Sequence, residues 1–431
     1  MTQTPNGATP SGIAGASAAE RLNHGCYCIT LDRGALAEAF DREVGVEGFS
    51  AALDQSHPLL FSNAPVFVPT AAMDEMTQVV AAVEAAAGLP GFREAALAWA
   101  GPLAHRNFGP AGALMGYDFH ITADGPKLIE INTNAGGAFL NAPLARAQRA
   151  CCATVQSEAS GAAGFAAEIT GMFLAEWRRQ RGAGRPRRIA ILDDAPQDQH
   201  LYPEFRLAQA ALRSEGIDAL IGDPRELTHE GDDICLAGQP IDLVYNRLVD
   251  FAFEDPAHAT LRDAYRDGRL VVTPNPHVYA MFADKRNLTL LSAPDRLRAW
   301  GLAAPHLGVL AAAALATLLV TASNAEALWN DRRNWFFKPA RGHASKAAYR
   351  GDKLTRRVWG EILAGDYVAQ AYAAPGLRSV RHEGEPTELK VDVRLYTYAG
   401  QVLLAAARLY RGQTTNMRTP GGGFAPVLVT P

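Results

Sequence analysis

Three side chains of a kind that binds hard metal ions stand close together in the sequence. Glu130 and Asn132 are two positions apart, so on a β-strand they point to the same face. Asp118 precedes them by a length of chain that can form the neighbouring strand of a hairpin. Oxygen ligands without sulfur or imidazole suit Mg²⁺, which fills its other positions with substrate phosphates and water. The pattern predicts a metal–nucleotide site, although the three residues taken alone also fit two strand-edge charges and a turn residue.

Two lysines stand in contexts that suit phosphate binding. Lys338 follows two phenylalanines at the end of an apolar run, and a loop of small residues, 341–346, comes directly after it. Backbone N–H groups of such a loop can hold phosphates while the lysine adds positive charge. Lys285 lies in a second polar run, 283–287. Each lysine considered alone also fits a solvated surface cation.

The hydrophobic pattern predicts the elements that must position these side chains. Two short alternating runs flank Asp124-Gly125, a dipeptide typical of hairpin turns, and predict strands over 116–122 and 126–131. Apolar residues at helical spacing predict helices over 72–87, 92–105 and 153–178. The basic, glycine-containing segment 179–188 then predicts an exposed linker.

Strands and helices alternate after this linker. Strands are predicted at 188–192, 218–221, 241–245 and 270–273, with a helix over 205–216. This alternation predicts a parallel sheet that carries ligand groups at the carboxyl ends of its strands. Arg247 follows one of these strands and could hold a substrate carboxylate, and a structural salt bridge is equally consistent with its position. Further strands are predicted at 335–339, 367–372, 389–398 and 402–408.

Composition limits the class of protein. The 431 residues are 48% apolar and 20% charged, which is typical of globular domains, and a net charge of −4 gives no general attraction to nucleic acid or anionic lipid. The five cysteines lack the spacing of a zinc or redox motif, and residues 1–19 lack the features of a secretory signal. The uncharged stretch 307–322 is too short to span a bilayer. We therefore expect a cytoplasmic protein without a nucleic-acid or membrane partner, for which a homodimer is one admissible assembly.

Several motifs in a consistent cyclic order resemble those of the ATP-grasp ligases. They are Lys338-Pro339 after a strand, the small-residue loop, segment 367–372, Asp392-Val393-Arg394, Arg408 and Asn416. The run Leu128-Ile129-Glu130-Ile131-Asn132 resembles the last, metal-binding hairpin of that family, yet here it comes first. The chain thus resembles a circularly permuted ATP-grasp ligase, broadly similar to glutathionylspermidine synthetase, with motifs like those of ribosomal-protein glutamate ligases. The resemblance implies an α/β fold in which α+β grasp lobes accompany a parallel-sheet pre-grasp domain.

The resemblance also implies a role for each matching residue. The implied ligands of Mg²⁺, or of Mn²⁺ in its place, are Asp118, Glu130 and Asn132. The implied contacts to ATP are Lys285, Lys338, Ser345 in the covering loop, and the adenine-binding hinge of Gln370, Ala371 and Tyr372. The implied catalytic residues are Arg394, Arg408 and Lys338. Asn416 is an implied substrate contact, which Arg247 joins because of its position after a strand. Arg394 and Arg408 also fit ordinary ion pairs in a strand layer.

The function implied by the resemblance is the joining of a small-molecule or peptide carboxylate to an amine. ATP phosphorylates the carboxylate, the amine attacks the acyl phosphate, and ADP and phosphate are released while water is excluded. Two alternatives use the same nucleotide site: a small-molecule phosphotransferase that stops after phosphorylation, and a regulatory protein that binds nucleotide without turnover. A dehydrogenase is disfavoured because segment 192–196 lacks the glycine pattern that dinucleotides require.

Domain boundaries follow from the same segments. Residues 1–19 are expected to form a disordered leader, and residues 20–150 the permuted C-terminal part of the grasp fold with its metal hairpin. Residues 151–187 are expected to supply a helix and a linker. The parallel-sheet substrate domain is expected at 188–275, and the nucleotide-binding lobes at 276–431.

Overall fold

A computed structural model describes residues 17–148, 162, 164–342, 347–416 and 418–431. Its strands are β1 (Val66–Pro69), β2 (Met115–Thr122), β3 (Gly125–Asn132), β4 (Arg188–Leu192), β5 (Asp218–Gly222), β6 (Leu227–Glu230), β7 (Asp233–Leu236), β8 (Gln239–Ile241), β9 (Leu243–Asn246), β10 (Val271–Thr273), β11 (Thr317–Leu319), β12 (Trp335–Pro339), β13 (Tyr349–Arg350), β14 (Tyr367–Ala371), β15 (Gly376–His382), β16 (Glu385–Tyr398), β17 (Gln401–Tyr410) and β18 (Gly423–Thr430).

The helices of the described residues are α1 (Ala18–Gly25), α2 (Arg33–Val44), α3 (Phe49–Ser56), α4 (Thr70–Ala87), α5 (Pro90–Leu97), α6 (Ala138–Arg146), α7 (Phe165–Arg181), α8 (Tyr202–Ser214), α9 (Ala259–Arg266), α10 (Pro276–Val278), α11 (Asn287–Leu291), α12 (Pro294–Ala299), α13 (Ala304–Ala313), α14 (Ala325–Asn330) and α15 (Arg356–Ala364). None of them is both long and apolar enough to cross a membrane. The uncharged stretch 307–322 is divided between α13 and β11.

Strands from both ends of the chain form the largest sheet. Its order is β1-β18-β17-β16-β2-β3, and β15 also pairs with β16. The first strand runs parallel to the last, β1 beside β18, whereas β2 lies antiparallel to β16. The predicted β2–β3 hairpin is therefore joined to the C-terminal strands, as a permuted chain order requires. The permutation itself stays a prediction.

Alternation along β2 separates the core from the cavity side of this sheet. Tyr117 and Phe119 are fully buried in the main apolar core together with Met76 and Val80 of α4. Asp118, one position out of step with these rings, points to the opposite face because successive strand side chains alternate. The same pattern that anchors the strand on α4 thus presents a carboxylate on its other side.

The middle of the chain forms the predicted parallel sheet. Its order is β10-β9-β4-β5, and each neighbouring pair is parallel. The single strand predicted at 241–245 is instead two strands, because β8 pairs antiparallel with β7 and only β9 enters the parallel sheet. The carboxyl ends of β4 and β9 lie side by side, so residues that follow them meet at one edge.

A small antiparallel sheet supplies the other wall of the site. Its order is β11-β14-β12-β13. Strand β12 matches the predicted bounds, and its register sets Lys338 opposite Val368 of β14. The buried rings Phe337 and Trp359 pack on one face of this sheet, with ring centroids 5.3 Å apart. Lys338, which alternates with Phe337, faces the other way.

Two predicted boundaries, the end of the N-terminal leader and the end of the helix at 92–105, are wrong. The end of the predicted leader at residue 19 is wrong, because α1 begins at Ala18; residues 1–16 lie outside the described residues. Ser17 and Glu20 form a capping box there, in which each side chain bonds the backbone N–H of the other residue. The helix predicted over 92–105 ends at Leu97, since Gly101 and Pro102 oppose continuation of a helix. The helix predicted over 153–178 is observed as α7 from Phe165 onward, whereas residues 153–161 and 163 lie outside the described residues. The loop residue Ser345 also lies outside them.

Candidate functional site

A cavity of about 840 Å³ lies between the β2–β3 hairpin and the small sheet. It continues to the carboxyl ends of β4 and β9, and its volume suits a small-molecule site. The predicted site residues that line it are Asp118, Glu130, Asn132, Arg247, Lys285, Lys338, Gln370, Ala371, Tyr372, Arg394, Arg408 and Asn416. The fold thus brings together every predicted site residue that the structure describes.

Asp118 is held by two arginines from the C-terminal strands. Arg394 donates from Nε to Oδ1 at 2.6 Å and from Nη2 to Oδ2 at 2.7 Å, and Arg408 donates to Oδ2 at 2.8 Å. Burial opposes ionisation of Asp118, but the two guanidinium charges outweigh it and hold the pKa of this carboxyl well below its usual range. Asp118 is therefore a permanent negative charge at the centre of the site.

Glu130 is paired with a lysine from a distant segment. Nζ of Lys285 lies 3.2 Å from Oε1 of Glu130 and also donates to the carbonyl oxygen of Gly342 at 3.2 Å. Burial raises the pKa of Glu130, yet the charges of Lys285 and Lys338 more than offset this effect and leave the pKa below its usual value. A carboxylate and two ammonium groups thus share a largely buried space.

Lys338 connects the small sheet to the hairpin. Its Nζ donates to the carbonyl oxygen of Ile129 at 2.7 Å and to Oε1 of Gln370 at 2.8 Å. The side chain is 5% exposed, and burial lowers its pKa to about 8 although Glu130 favours the charged form. Within the described residues, Nε2 of Gln370 is buried without a hydrogen-bond partner, so this donor is available to a ligand.

The oxygen atoms at the hairpin suit a hard divalent cation. Nδ2 of Asn132 donates to Oδ2 of Asp118 at 3.2 Å, so its amide oxygen remains free to face a ligand. Oδ1 of Asp118 receives one hydrogen bond and keeps a further lone pair. Across the described ranges, no group of three or more His, Cys, Asp or Glu side chains is arranged to hold a metal ion. Two carboxylates and an amide fit Mg²⁺ when phosphate oxygens complete its shell.

The predicted adenine hinge has two of its backbone donors already engaged. The N–H of Ala371 donates to Ala316 at 2.8 Å, and that of Tyr372 donates to Asn334 at 2.8 Å. An adenine ring at this wall would therefore form hydrogen bonds with other backbone groups of the segment, whose next residue, Ala373, also lines the cavity. The guanidinium of Arg350 lies 4.4 Å from the ring centroid of Tyr372 and fixes its plane.

A second acidic centre, which the sequence reasoning did not assign to the site, lies around Asp392. Its carboxylate accepts from His120 at 2.8 Å, from Tyr410 at 2.9 Å and from Arg408 at 3.3 Å, and it also bonds Thr415. These hydrogen bonds keep the pKa of Asp392 below its usual value despite burial. The two-residue spacing from Asp118 to His120 and from Asp392 to Arg394 could have revealed this centre, because such residues share a strand face.

The far half of the cavity is built around Arg247, just after β9. Its side chain is 5% exposed, and its Nη2 lies 3.6 Å from Oε2 of Glu204. Burial raises the pKa of Glu204, with Arg247 acting against that shift. Asn134, at the exit of the hairpin, donates to the carbonyl oxygens of Arg247 and Leu248 at 2.7 and 3.1 Å. The hairpin and the parallel sheet are thereby tied together.

Asn416 lines the cavity but its side chain is engaged locally. It donates to the carbonyl oxygen of Arg411 at 2.6 Å and accepts from the Thr419 hydroxyl at 2.9 Å. These two hydrogen bonds link residues within the loop between β17 and β18. Its predicted contact with a substrate stays a prediction.

Comparison with known proteins gives a match only in structure, since no family model and no curated protein matches the sequence. A glutathione synthetase-like effector from Globodera pallida, in its apo form, has a TM-score of 0.55 and 14% identity, covering 94% of this chain and 100% of the other. A gamma-glutamylcysteine synthetase candidate from Methylobacillus flagellatus has a TM-score of 0.47 and 12% identity, covering 78% and 85%. The ATP-grasp ligase PsnB, complexed with minimal precursor, Mg and ADP, has a TM-score of 0.28 and 15% identity, covering 56% and 87%.

Only the first of these three superposes well enough to indicate a common fold along most of both chains. The α/β fold class that the sequence predicts is thereby confirmed, and the fold resembles that of a glutathione synthetase-like protein. At 14% identity this likeness concerns the fold and leaves the activity to be argued from the site.

Proposed function

We propose that this chain is an ATP-dependent ligase that joins a carboxylate to an amine through an acyl phosphate. One observation carries the proposal. The oxygen atoms of the β2–β3 hairpin face two lysines from another part of the chain across one cavity, through the contacts of Lys285 with Glu130 and of Lys338 with Ile129. Hard oxygen ligands and buried cations in one enclosed space are what a triphosphate with its metal requires.

The residues at the hairpin would hold the metal and the phosphates. Glu130 and Asn132 would bind Mg²⁺, or Mn²⁺, with Asp118 contributing its free lone pair. Bound Mg-ATP would supply the phosphoryl group and the metal charge that stabilises it during transfer. Lys285 and Lys338 would neutralise the phosphate oxygens, for which their burial is favourable because few water molecules screen them.

The two arginines would act where the phosphoryl group moves. Arg394 and Arg408 are already fixed by Asp118, so they need no reorganisation as negative charge develops. Within the described residues, Nε of Arg408 is buried without a hydrogen-bond partner. This donor is the one of the pair best able to contact a carboxylate or a phosphoryl oxygen.

The acceptor substrate would occupy the far half of the cavity. Nε of Arg247 is also buried without a hydrogen-bond partner in the described part of the chain. An uncompensated buried guanidinium donor is costly unless a ligand satisfies it. We therefore assign Arg247 to a carboxylate of the substrate, with Asn416, which lines the same cavity, as a further contact.

The test is ADP release with Mg-ATP and a pool of amino acids, polyamines and small peptides, followed by mass spectrometry of the products. A ligase releases ADP and phosphate and yields a product lighter by one water than its two substrates together. Retention of phosphate on a product without any need for an amine would identify a phosphotransferase instead. Mg-ATP binding without ADP release would support a regulatory nucleotide-binding protein.

A further inference from the structure

We propose that Asp193 binds the attacking amine as its ammonium ion and accepts the proton that the amine must lose. This inference rests on the proposed ligase function and names the chemical class of the second substrate, a protonated primary amine. Asp193 directly follows β4 and lines the far half of the cavity. It is 7% exposed, so its carboxylate faces the cavity rather than open solvent.

Asp193 stands out because both neighbouring carboxylates, Asp194 and Asp223, have a basic side-chain partner in the described residues. Asp194 lies 3.0 Å from Nε2 of His258, whose Nδ1 lies 2.7 Å from Asp250. Asp223, at the end of β5, pairs with the adjacent Arg225.

Within the described residues, the carboxylate of Asp193 receives one hydrogen bond, from the N–H of Asp194 at 2.9 Å, and no ion pair. The charge of Arg247 favours ionisation of Asp193, and this guanidinium also lies beside Glu204. A substrate ammonium ion would supply the missing partner.

The surroundings of Asp193 bring its pKa close to neutral pH. Burial raises its pKa to about 7, with Arg247 acting against the shift and Asp194 and Asp223 adding to it. His200, on the loop before α8, also lines the cavity, and its own pKa is lowered by burial and by the charges of His57 and Arg418. A base with a pKa near the working pH is well suited to proton transfer.

Gly136 lies between Arg394, on the phosphoryl side of the cavity, and Arg247, on its far side. The carbonyl oxygen of Gly136 accepts from Arg394 at 3.4 Å and from the Tyr396 hydroxyl at 2.8 Å. On its other side, a Cβ at this position would lie 3.3 Å from Nη2 of Arg247. Arg247, which is assigned to the acceptor substrate, and Arg394, which binds Asp118, therefore both lie beside Gly136.

The chemistry balances with Asp193 as the base. An ammonium ion has no lone pair, so one proton first moves from nitrogen to the Asp193 carboxylate. The neutral nitrogen then forms a bond to the carbonyl carbon of the acyl phosphate, and the carbon–oxygen bond to phosphate breaks. Phosphate leaves with that electron pair and takes the second nitrogen proton. Asp193 returns its own proton to water.

The decisive experiment compares two nucleophiles in the wild type and in Asp193→Asn. Hydroxylamine is already unprotonated at neutral pH, so it needs no base and traps acyl phosphates as hydroxamates. With Mg-ATP and the same substrate pool, we expect amide formation at pH about 7 to fall roughly 100-fold in Asp193→Asn. Hydroxamate formation should stay within about threefold of the wild type, because phosphorylation of the carboxylate does not involve Asp193.

The pH profile adds a readout that a purely structural residue would not change. In the wild type, kcat/KM for amide formation should rise with pH and level off above about 7, as Asp193 ionises. Asp193→Asn should lack this limb and recover activity only at the pH where the free amine itself loses its proton. Asp223→Asn should move the wild-type limb to lower pH, because it removes a negative charge that raises the pKa of Asp193.

Several outcomes would overturn the inference. Equal loss of amide and hydroxamate formation would make Asp193 a structural residue, and unchanged amide formation would exclude it as the base. A lower thermal unfolding midpoint of Asp193→Asn than of the wild type, with both activities lost, would also make Asp193 a structural residue. Absence of both ADP and hydroxamate in the wild type would reject the ligase function itself, and this result is distinct because it does not depend on the variant.

Discussion

Asp118 and Arg394 are 276 positions apart in the sequence, yet they face each other on neighbouring strands and share two hydrogen bonds of 2.6 and 2.7 Å. Both side chains are almost fully buried. The register of β2 against β16 sets this pair, and the pair fixes the charge at the centre of the cavity. Its energetic importance and that of its neighbours can be measured directly.

Arg394→Ala should destabilise the fold strongly. It removes the main partner of a buried carboxylate, and breaking such a pair costs about 3–5 kcal/mol. Arg357→Ala is the matched control, because Arg357 forms an ion pair with Glu361 at 2.6 Å but its side chain is 81% exposed. Urea unfolding of the control should change by less than about 1 kcal/mol. Similar losses in both variants would mean that burial of the Asp118 pair has no energetic consequence.

Mg-ATP binding should weaken as pH rises through about 8, because Lys338, with its pKa lowered to about 8, loses its charge there. Lys338→Arg keeps a charge throughout and should show a flat profile over this range. Lys338→Met should bind weakly at every pH. Calorimetry between pH about 6 and about 10 gives the comparison. A sloping profile in Lys338→Arg would assign the titration to another group.

Glu130→Gln and Asn132→Ala should each raise the Mg²⁺ concentration needed for nucleotide binding. Both remove or weaken an oxygen ligand that faces the cavity. Asp124→Asn is the control, since Asp124 lies on the same hairpin but at its exposed turn. We expect an effect of about tenfold or more for the first two variants and none for the control. Unchanged Mg²⁺ dependence in both would remove the metal assignment.

Gly137→Ala should cost considerably more stability than Gly45→Ala. Both glycines have positive φ, +103° and +71°, so alanine is strained at either position. A Cβ at Gly137 would also lie 2.4 Å from the Phe424 ring and 2.8 Å from the Tyr396 hydroxyl, whereas nothing lies within 4 Å at Gly45. The difference in unfolding free energy isolates the steric contact. Equal losses would show that the Phe424 ring moves aside freely.

The sequence by itself determined several local strands and which of their residues share a face. The β2–β3 hairpin and strands β4 and β12 follow from alternation, the Asp124-Gly125 turn and short apolar runs. These features depend on residues close in the chain, so a linear pattern encodes them. The pairs Glu130 with Asn132 and Asp118 with His120 are placed on one face for the same reason.

Only the tertiary structure decided which segments meet. The sequence did not predict that β1 pairs with β18, that Arg394 neutralises Asp118, or that Glu204 lies beside Arg247. Nor did it distinguish Asp193 from Asp194, because the difference between them is the contact of Asp194 with His258, 64 positions further along the chain. Pairing, burial and charge compensation depend on segments far apart in the chain, and their free energies exist only after packing brings those segments together.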